Sequence, residues 1–95
     1  MKALAYKNKA VSSTAQSLSD IGFSDSEIAL AVAMIVSVTD ENLRYRVDGQ
    51  NPTASNGHQI VADDERMLYD RPLIQGFRCI AATGTSNVFI TLLGA

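Results

Sequence analysis

Turn-forming residues recur along this chain at roughly 8–12-residue intervals, and the runs between them are short, β-branched or alternately apolar. Its 95 residues leave room for one domain and one modest core. These observations predict an all-β fold over residues 1–95. The expected architecture is an antiparallel β-sandwich, jelly-roll-like or immunoglobulin-like, with at most one short helix near residues 24–31.

Residues 2–7 alternate weakly, Ala3 and Ala5 against Leu4 and Tyr6, and suit an edge strand. Lys2, Lys7 and Lys9 discourage that edge from pairing with another chain. Residues 8–16 are polar and rich in Ser and Thr, hence extended or loop. Apolar residues resume at Leu18, Ile21 and Phe23. Ser24 and Glu27 stand at capping-box spacing, so about one helical turn begins there. The following stretch, residues 31–39, reads as a strand from its β-branched end, MIVSVT. A single longer helix is the alternative, because Ala and Leu favour helix. Asp40-Glu41-Asn42 is a turn, expected to join this strand to the next as a hairpin.

The sharpest signal is LRYRVDGQNPTASNG, residues 43–57. Leu43, Tyr45 and Val47 alternate with Arg44, Arg46 and Asp48, giving a strand with one apolar and one polar face. Asp48-Gly49 ends it, since Gly49 takes the positive φ of a tight turn at no steric cost. Pro52 has no N–H for a sheet ladder and pushes Asn51 toward extended geometry. Thr53, Ser55 and Asn56 can hydrogen-bond nearby backbone, and Gly57 closes the loop. Strands follow at residues 58–62 and 66–69, separated by the polar turn Asp63-Asp64-Glu65. Asp70-Arg71-Pro72 interrupts the pattern, and Leu73 and Ile74 cover an end of the core. Residues 77–81 form a strand after Gly76, Thr83-Gly84-Thr85 a turn, and residues 87–93 the last strand. The expected core is Val36, Val38, Leu43, Tyr45, Val47, Ile60, Phe77, Cys79, Val88, Ile90 and Leu92.

The last strand is apolar on both faces. Val88, Ile90 and Leu92 fill one face; Phe89 and Leu93 flank Thr91 on the other. A strand apolar on both faces is covered on both. The second cover is either another subunit or loops of the same chain, so Phe89 and Leu93 are interface candidates. Arg44 and Arg46 share an outer strand face and are the polar interface candidates, pairing with acids of a neighbour or standing in solvent.

Composition narrows the function classes. A net charge of -2 with dispersed basic residues argues against nucleic acid as partner. The lone cysteine, Cys79, forms no intrachain disulfide and leaves no second thiol for zinc. The start, MKALAYKNKA, lacks the apolar core of a signal peptide. The apolar run at residues 28–38 is shorter than the ~20 residues that span a bilayer. The expectation is a soluble protein made in the cytoplasm, with no membrane partner.

No catalytic constellation emerges. The single imidazole, His58, opens a strand after a glycine loop and reads as a surface or hydrogen-bonded structural residue. Asp63-Asp64-Glu65 lacks the spacing of a calcium loop and reads as a solvated turn. Cys79, mid-strand among apolar residues, reads as a buried inert thiol. Ala82-Thr83-Gly84-Thr85 lacks the Lys-Ser/Thr of a phosphate-binding loop. The expectation is a non-enzymatic protein with no cofactor and no metal.

At Arg44, Tyr45, Asp48, Gly49, Pro52, Thr53, Gly57 and His58 the chain resembles small β-sandwich proteins encoded in the virion gene clusters of tailed bacteriophages. The shared pattern is Arg-Tyr-x-x-Asp-Gly-x-x-Pro-Thr-x-x-x-Gly-His, and the likeness extends loosely to Gly22-Phe23 and to Phe77-Arg78. The resemblance implies a structural component of the particle, a head-decorating (cement) or tail-associated protein residing in the virion. It also implies partners: the chain itself as a homo-oligomer, with a trimer favoured over a dimer, and a capsid or tail protein. It carries no catalytic residues; Asp48, Gly49, Pro52, Thr53, Gly57 and His58 are implied to be a structural loop. The segment Tyr-x-x-Asp-Gly-x-x-Pro-Thr also resembles immunoglobulin-like accessory domains of chitin-degrading enzymes, which implies a carbohydrate-binding module instead. Those domains carry more aromatics and a Ser-x-x-Tyr segment, where this chain has Ser55-Asn56-Gly57-His58.

Overall fold

Nearly every strand of this chain ends in a corner rather than a hairpin, and that choice sets the topology. The computed structural model describes residues 1–95. The elements in order are β1 (Lys2–Val11), β2 (Gln16–Ser17), α1 (Leu18–Ile21), α2 (Asp25–Leu30), β3 (Ala33–Thr39), β4 (Leu43–Arg46), β5 (His58–Ile60), β6 (Glu65–Tyr69), α3 (Arg71–Gln75), β7 (Arg78–Ala81) and β8 (Ser86–Gly94). The strands form two four-stranded sheets, β1-β8-β3-β6 and β2-β7-β4-β5. All neighbouring pairs are antiparallel.

Strand 1 therefore pairs with 8, 2 with 7, 3 with 6 and 4 with 5. The chain is one long antiparallel ribbon, folded at its middle and wrapped so that successive pairs fall in alternate sheets. That wrapping is the jelly roll. In the immunoglobulin arrangement the first strand lies beside the second in one sheet; here β1 and β2 lie in different sheets. The immunoglobulin-like alternative is thereby set aside. Only β4 and β5 are consecutive strands of the same sheet, so the segment between them, residues 47–57, is the fold-back point of the whole ribbon.

The expected hairpin at Asp40-Glu41-Asn42 is instead a crossing from the first sheet to the second. Asp40 turns with φ of 76°, a conformation that Asp tolerates better than most residues. The corner is then tied down from several directions. Ser86 Oγ donates to the Glu41 carbonyl at 2.8 Å, Thr83 Oγ1 to Glu41 Oε2 at 3.0 Å, and the Ala62 amide to Asn42 Oδ1 at 2.9 Å. Asn87 Nδ2 donates to the Asp40 carboxylate. A hairpin would have kept both strands in one sheet and left these groups apart.

The core lies between the sheets, where seventeen buried residues make one cluster. Met34, Val36, Val38, Val88, Ile90 and Leu92 of the first sheet meet Leu43, Tyr45, Ile60 and Cys79 of the second, with Phe77 leading into β7. Every expected core residue is buried except Val47, which is half-buried against the cluster. Val11, Leu18, Ile21, Phe23 and Ile74 close the ends. The expected helix after Ser24 is present, with its capping box formed by Ser24 and Glu27. Single-turn helices α1 and α3 accompany it. Ser17 and Asp20 make a second reciprocal capping box at α1. In α3, Pro72 sits in the first turn, where its missing N–H costs nothing, and Ile74 is buried over the core. No helix is long and apolar enough to cross a membrane.

β1 runs further than expected, to Val11, and its register slips between Ala3 and Ala5. The extra residue, Leu4, turns inward beside Gly94, where its Cδ2 would lie 2.9 Å from a Cβ added to that glycine. Beyond the slip Tyr6 stands opposite Thr91, on the outer face. Leu4 and Tyr6 thus part company, although simple alternation places them together.

Candidate functional site

Each sheet has an outer face, and the two are finished differently. On the second sheet, β4 presents Arg44 and Arg46, with Arg46 directly opposite Arg78 of β7. Like charges facing each other across strands are unfavourable. The fold-back segment supplies what relieves them. Arg46 grips the Asp48 carboxylate with two hydrogen bonds, Nε to Oδ1 at 3.0 Å and Nη2 to Oδ2 at 2.5 Å. Arg78 Nη1 donates to Asn51 Oδ1 at 2.9 Å, and Arg44 Nη1 to the Gly57 carbonyl at 3.1 Å. Arg44 and Arg46, the expected polar interface candidates, are both engaged inside their own chain. The buried Nε of Arg44 has no partner.

The segment is locked by its own chemistry as well. Asp48 Oδ1 also accepts from the Gln50 amide at 3.3 Å. The hydrogen bond from Arg46 holds the Asp48 carboxyl below the usual carboxylate range and raises the Arg46 guanidinium. Gly49 has φ of 79°, and its amide donates to the Gly76 carbonyl at 3.0 Å. Thr53 and Asn56 exchange backbone hydrogen bonds of 2.9 and 3.2 Å around a tight turn. Pro52 is buried. Gly57 passes so close to β4 that an added Cβ would lie 3.0 Å from the Tyr45 carbonyl oxygen and 3.2 Å from Pro52 Cβ. Residues 47–57 thus form a strap held against the second sheet, whereas His58, expected with the loop, is the first residue of β5.

His58 stands at the base of the strap, exposed, its ring centroid 5.4 Å from that of Tyr45. With Arg46, Val47, Asp48, Asn56 and Gly57 it lines a shallow open cleft of about 410 Å³. No three His, Cys, Asp or Glu side chains converge to hold a metal ion. At the Asp63–Glu65 turn, Asp64 accepts from the Glu65 amide at 2.8 Å and pairs with Arg66 at 3.5 Å. Cys79 is buried, and burial pushes its thiol up to about 12. A thiol so protonated is a packing residue, not a nucleophile.

The outer face of the first sheet has no strap. Register places Tyr6, Thr91, Ile35 and Met67 in one row across its four strands. A neighbouring row is Ala3, Leu93, Ala33 and Tyr69; the other is Asn8, Phe89, Ser37 and Glu65. Tyr6 and Tyr69 are each 54% exposed and Met67 40%. Phe89 and Leu93, expected on this face, are there, but their neighbours already half-bury them. The larger contributions, from Tyr6, Met67 and Tyr69, were not expected, nor was Ile35, which is half-buried among them. The phase of each strand carried the signal: Ile35 alternates with Met34 and Val36, and Met67 and Tyr69 with Leu68. Glu65 is the sole charged residue in these three rows.

Comparison with protein-family models, with curated proteins and with solved structures gives no match to this chain.

Proposed function

We propose that this chain is a non-enzymatic structural protein of a bacteriophage particle, a head-decorating or tail-associated component that self-associates through the outer face of its first sheet. The observation that carries the reading is the apolar band on the outer face of this sheet, where Tyr6, Met67 and Tyr69 of the edge strands stand exposed and Ile35, Phe89 and Leu93 between them are half-buried. Strands ~4.8 Å apart, rising ~3.3 Å per residue over lengths of ten, nine, seven and five residues, make this face ~490 Å² in projection. Protruding side chains raise its accessible area above the projection, toward the ~800 Å² per partner of a standard interface. A chain of net charge -2 gains from meeting its own copy across a nearly uncharged face, where self-repulsion is least. Closed symmetry is expected, because an open arrangement would build fibres. A trimer in preference to a dimer, and a capsid or tail protein as the further partner, rest on the virion resemblance.

Jelly rolls serve in viral capsids and in lectins, so architecture alone favours neither. The face favours assembly over sugar binding. Tyr6 and Tyr69 sit on opposite edge strands with β8 and β3 between them, ~14 Å apart across the sheet. They do not form a paired ring platform.

Sedimentation equilibrium at micromolar concentration tests the self-association. The parent chain is expected as a closed oligomer. Phe89→Asp and Met67→Asp should both dissociate it while keeping a cooperative melt. A parent chain that sediments as a monomer overturns the reading. Mass spectrometry of purified virions tests the location.

A further inference from the structure

The strap contains two pairs in which glycine follows a carboxyl or carboxamide residue, Asp48-Gly49 and Asn56-Gly57. In such pairs the glycine nitrogen, unshielded by a Cβ, can attack the preceding side-chain carbonyl carbon and close a five-membered ring. The fold treats the two pairs differently. At the first, Arg46 holds the Asp48 carboxylate with two hydrogen bonds, and the Gly49 amide is spent on the Gly76 carbonyl at 3.0 Å. At the second, the Asn56 side chain is exposed and makes no hydrogen bond within the chain, and the Gly57 N–H donates to no group. Both reacting groups are free.

The other asparagines lack this combination. Asn51 precedes Pro52, which has no N–H. Asn8 and Asn87 lie within β1 and β8. Asn42 Oδ1 accepts from the Ala62 amide at 2.9 Å.

We propose that Asn56-Gly57 is a self-modification site, at which the folded chain converts Asn56 through a cyclic imide into aspartate and isoaspartate. The Gly57 nitrogen gives its proton to water or hydroxide and bonds to Asn56 Cγ. The bond from Cγ to the side-chain nitrogen breaks, and that nitrogen leaves as ammonia after taking a proton from water. Water then adds to one of the two imide carbonyls and opens the ring. No electrons are gained or lost, and water is the one co-reactant.

The consequences follow from the neighbours. Either product places a carboxylate at position 56, in the cleft that Arg46 and Asp48 share. In isoaspartate the main chain runs through the former side chain and is one methylene longer. Next to it Gly57 has no room, since even a Cβ there would come within 3.0 Å of the Tyr45 carbonyl oxygen. The isoaspartyl form must lift the strap and release the Arg44 hydrogen bond to Gly57. Ageing of the protein thus loosens the strap on the second sheet.

Timed incubation of the full folded chain in mildly alkaline buffer tests this, read by peptide mapping and by enzymatic methylation of isoaspartate. Asn56 should gain about one dalton at least about tenfold faster than Asn42 or Asn87, a barrier lower by ~1.4 kcal/mol. Isoaspartate should appear at residue 56 and not at residue 48. Asn56→Gln should remove the fast phase. A parallel incubation in urea gives the rate of the unfolded chain. Conversion of Asn56 in urea, with the folded chain no faster there than at Asn42, would show that the fold protects the pair and overturn the proposal. So would equal isoaspartate at residue 48.

Discussion

Gly76→Ala is expected to be the most damaging glycine substitution in this chain, although Gly76 has an ordinary φ of -89°. Its cost is steric. An added Cβ would lie 2.2 Å from the Val47 carbonyl oxygen, 2.8 Å from the Val47 carbonyl carbon and 3.0 Å from the Gly49 nitrogen. All three are backbone atoms at the root of the strap, so no side chain can rotate away. Making room means separating the end of α3 from residues 47–49 and losing the 3.0 Å hydrogen bond from Gly49 to Gly76. Overpacking of this kind costs ~1–3 kcal/mol, and the hydrogen bond contributes ~1 kcal/mol net. The sum is ~2–4 kcal/mol. Gly49→Ala is the control. Its added Cβ meets nothing within 4 Å, so only the φ of 79° opposes it, at ~1 kcal/mol. Urea melts of both variants decide the matter, since a stability change with unchanged slope reads directly as a shifted midpoint. A Gly76→Ala midpoint at or above that of Gly49→Ala would refute the close approach on which the strap is argued to depend.

Phe77→Ala should leave little folded protein, because Phe77 is 1% exposed and stacks on Tyr45 at 5.7 Å, and such truncations cost ~3–5 kcal/mol; a cooperative melt near the parent's would place Phe77 outside the core. Cys79 should resist thiol reagents until the chain unfolds. Its thiol is raised from 9.0 to about 12 by burial, so above pH 9 the unfolded state ionises and the folded state does not. Stability is therefore full below that pH and falls by ~1.4 kcal/mol per pH unit through the window up to about 12; Cys79→Ala should melt with a shallower alkaline slope. Acidification should free the strap by the opposite sign. The Asp48 carboxyl is held low chiefly by its hydrogen bond from Arg46, so its contribution is present above the ordinary carboxylate range and is lost as pH falls through the depressed value. Amide exchange at Gly49 and Gln50 should then rise in the parent but not in Asp48→Asn.

The fold class and nearly all the core were legible because alternation along β3, β4 and β8 directly reports which side chains face inward. The strap was legible for a local reason too: Asp48-Gly49, Pro52 and Gly57 impose backbone geometry wherever they stand. Two things were not. The Asp40–Asn42 corner reads like a hairpin because a turn signal gives a change of direction, not which sheet receives the next strand. Its fate was decided by distant partners, Ser86, Thr83 and Asn87. The open face of the first sheet was masked by the slip at Leu4. One inserted residue inverts the phase of everything beyond it, so Tyr6 could not be assigned to the face of Phe89 and Leu93. The helix α3 was missed because Pro72 reads as a breaker, yet proline is well placed in a first helical turn.

The two sheets differ in a way that bears on how copies of this chain would meet. A jelly roll has one fold-back point, and here it carries an eleven-residue connection, residues 47–57, long enough to lie back over the sheet that bears it. The first sheet receives no such cover, because its strands are joined by corners that leave at the ends. Its edges, by contrast, are defended. On β1, Lys7 and Lys9 share the inward phase of Ile90 and Val88. Lys9 reaches over the rim to the Asp20 carbonyl at 2.9 Å, an inward-pointing charge that discourages a further strand from docking. The other edge, β6, is only five residues long. Guarded edges beside an unguarded apolar face favour contact face to face over strand addition. Substitutions at Met67 and Phe89 should therefore weaken any self-association far more than substitutions at Lys7 or Lys9.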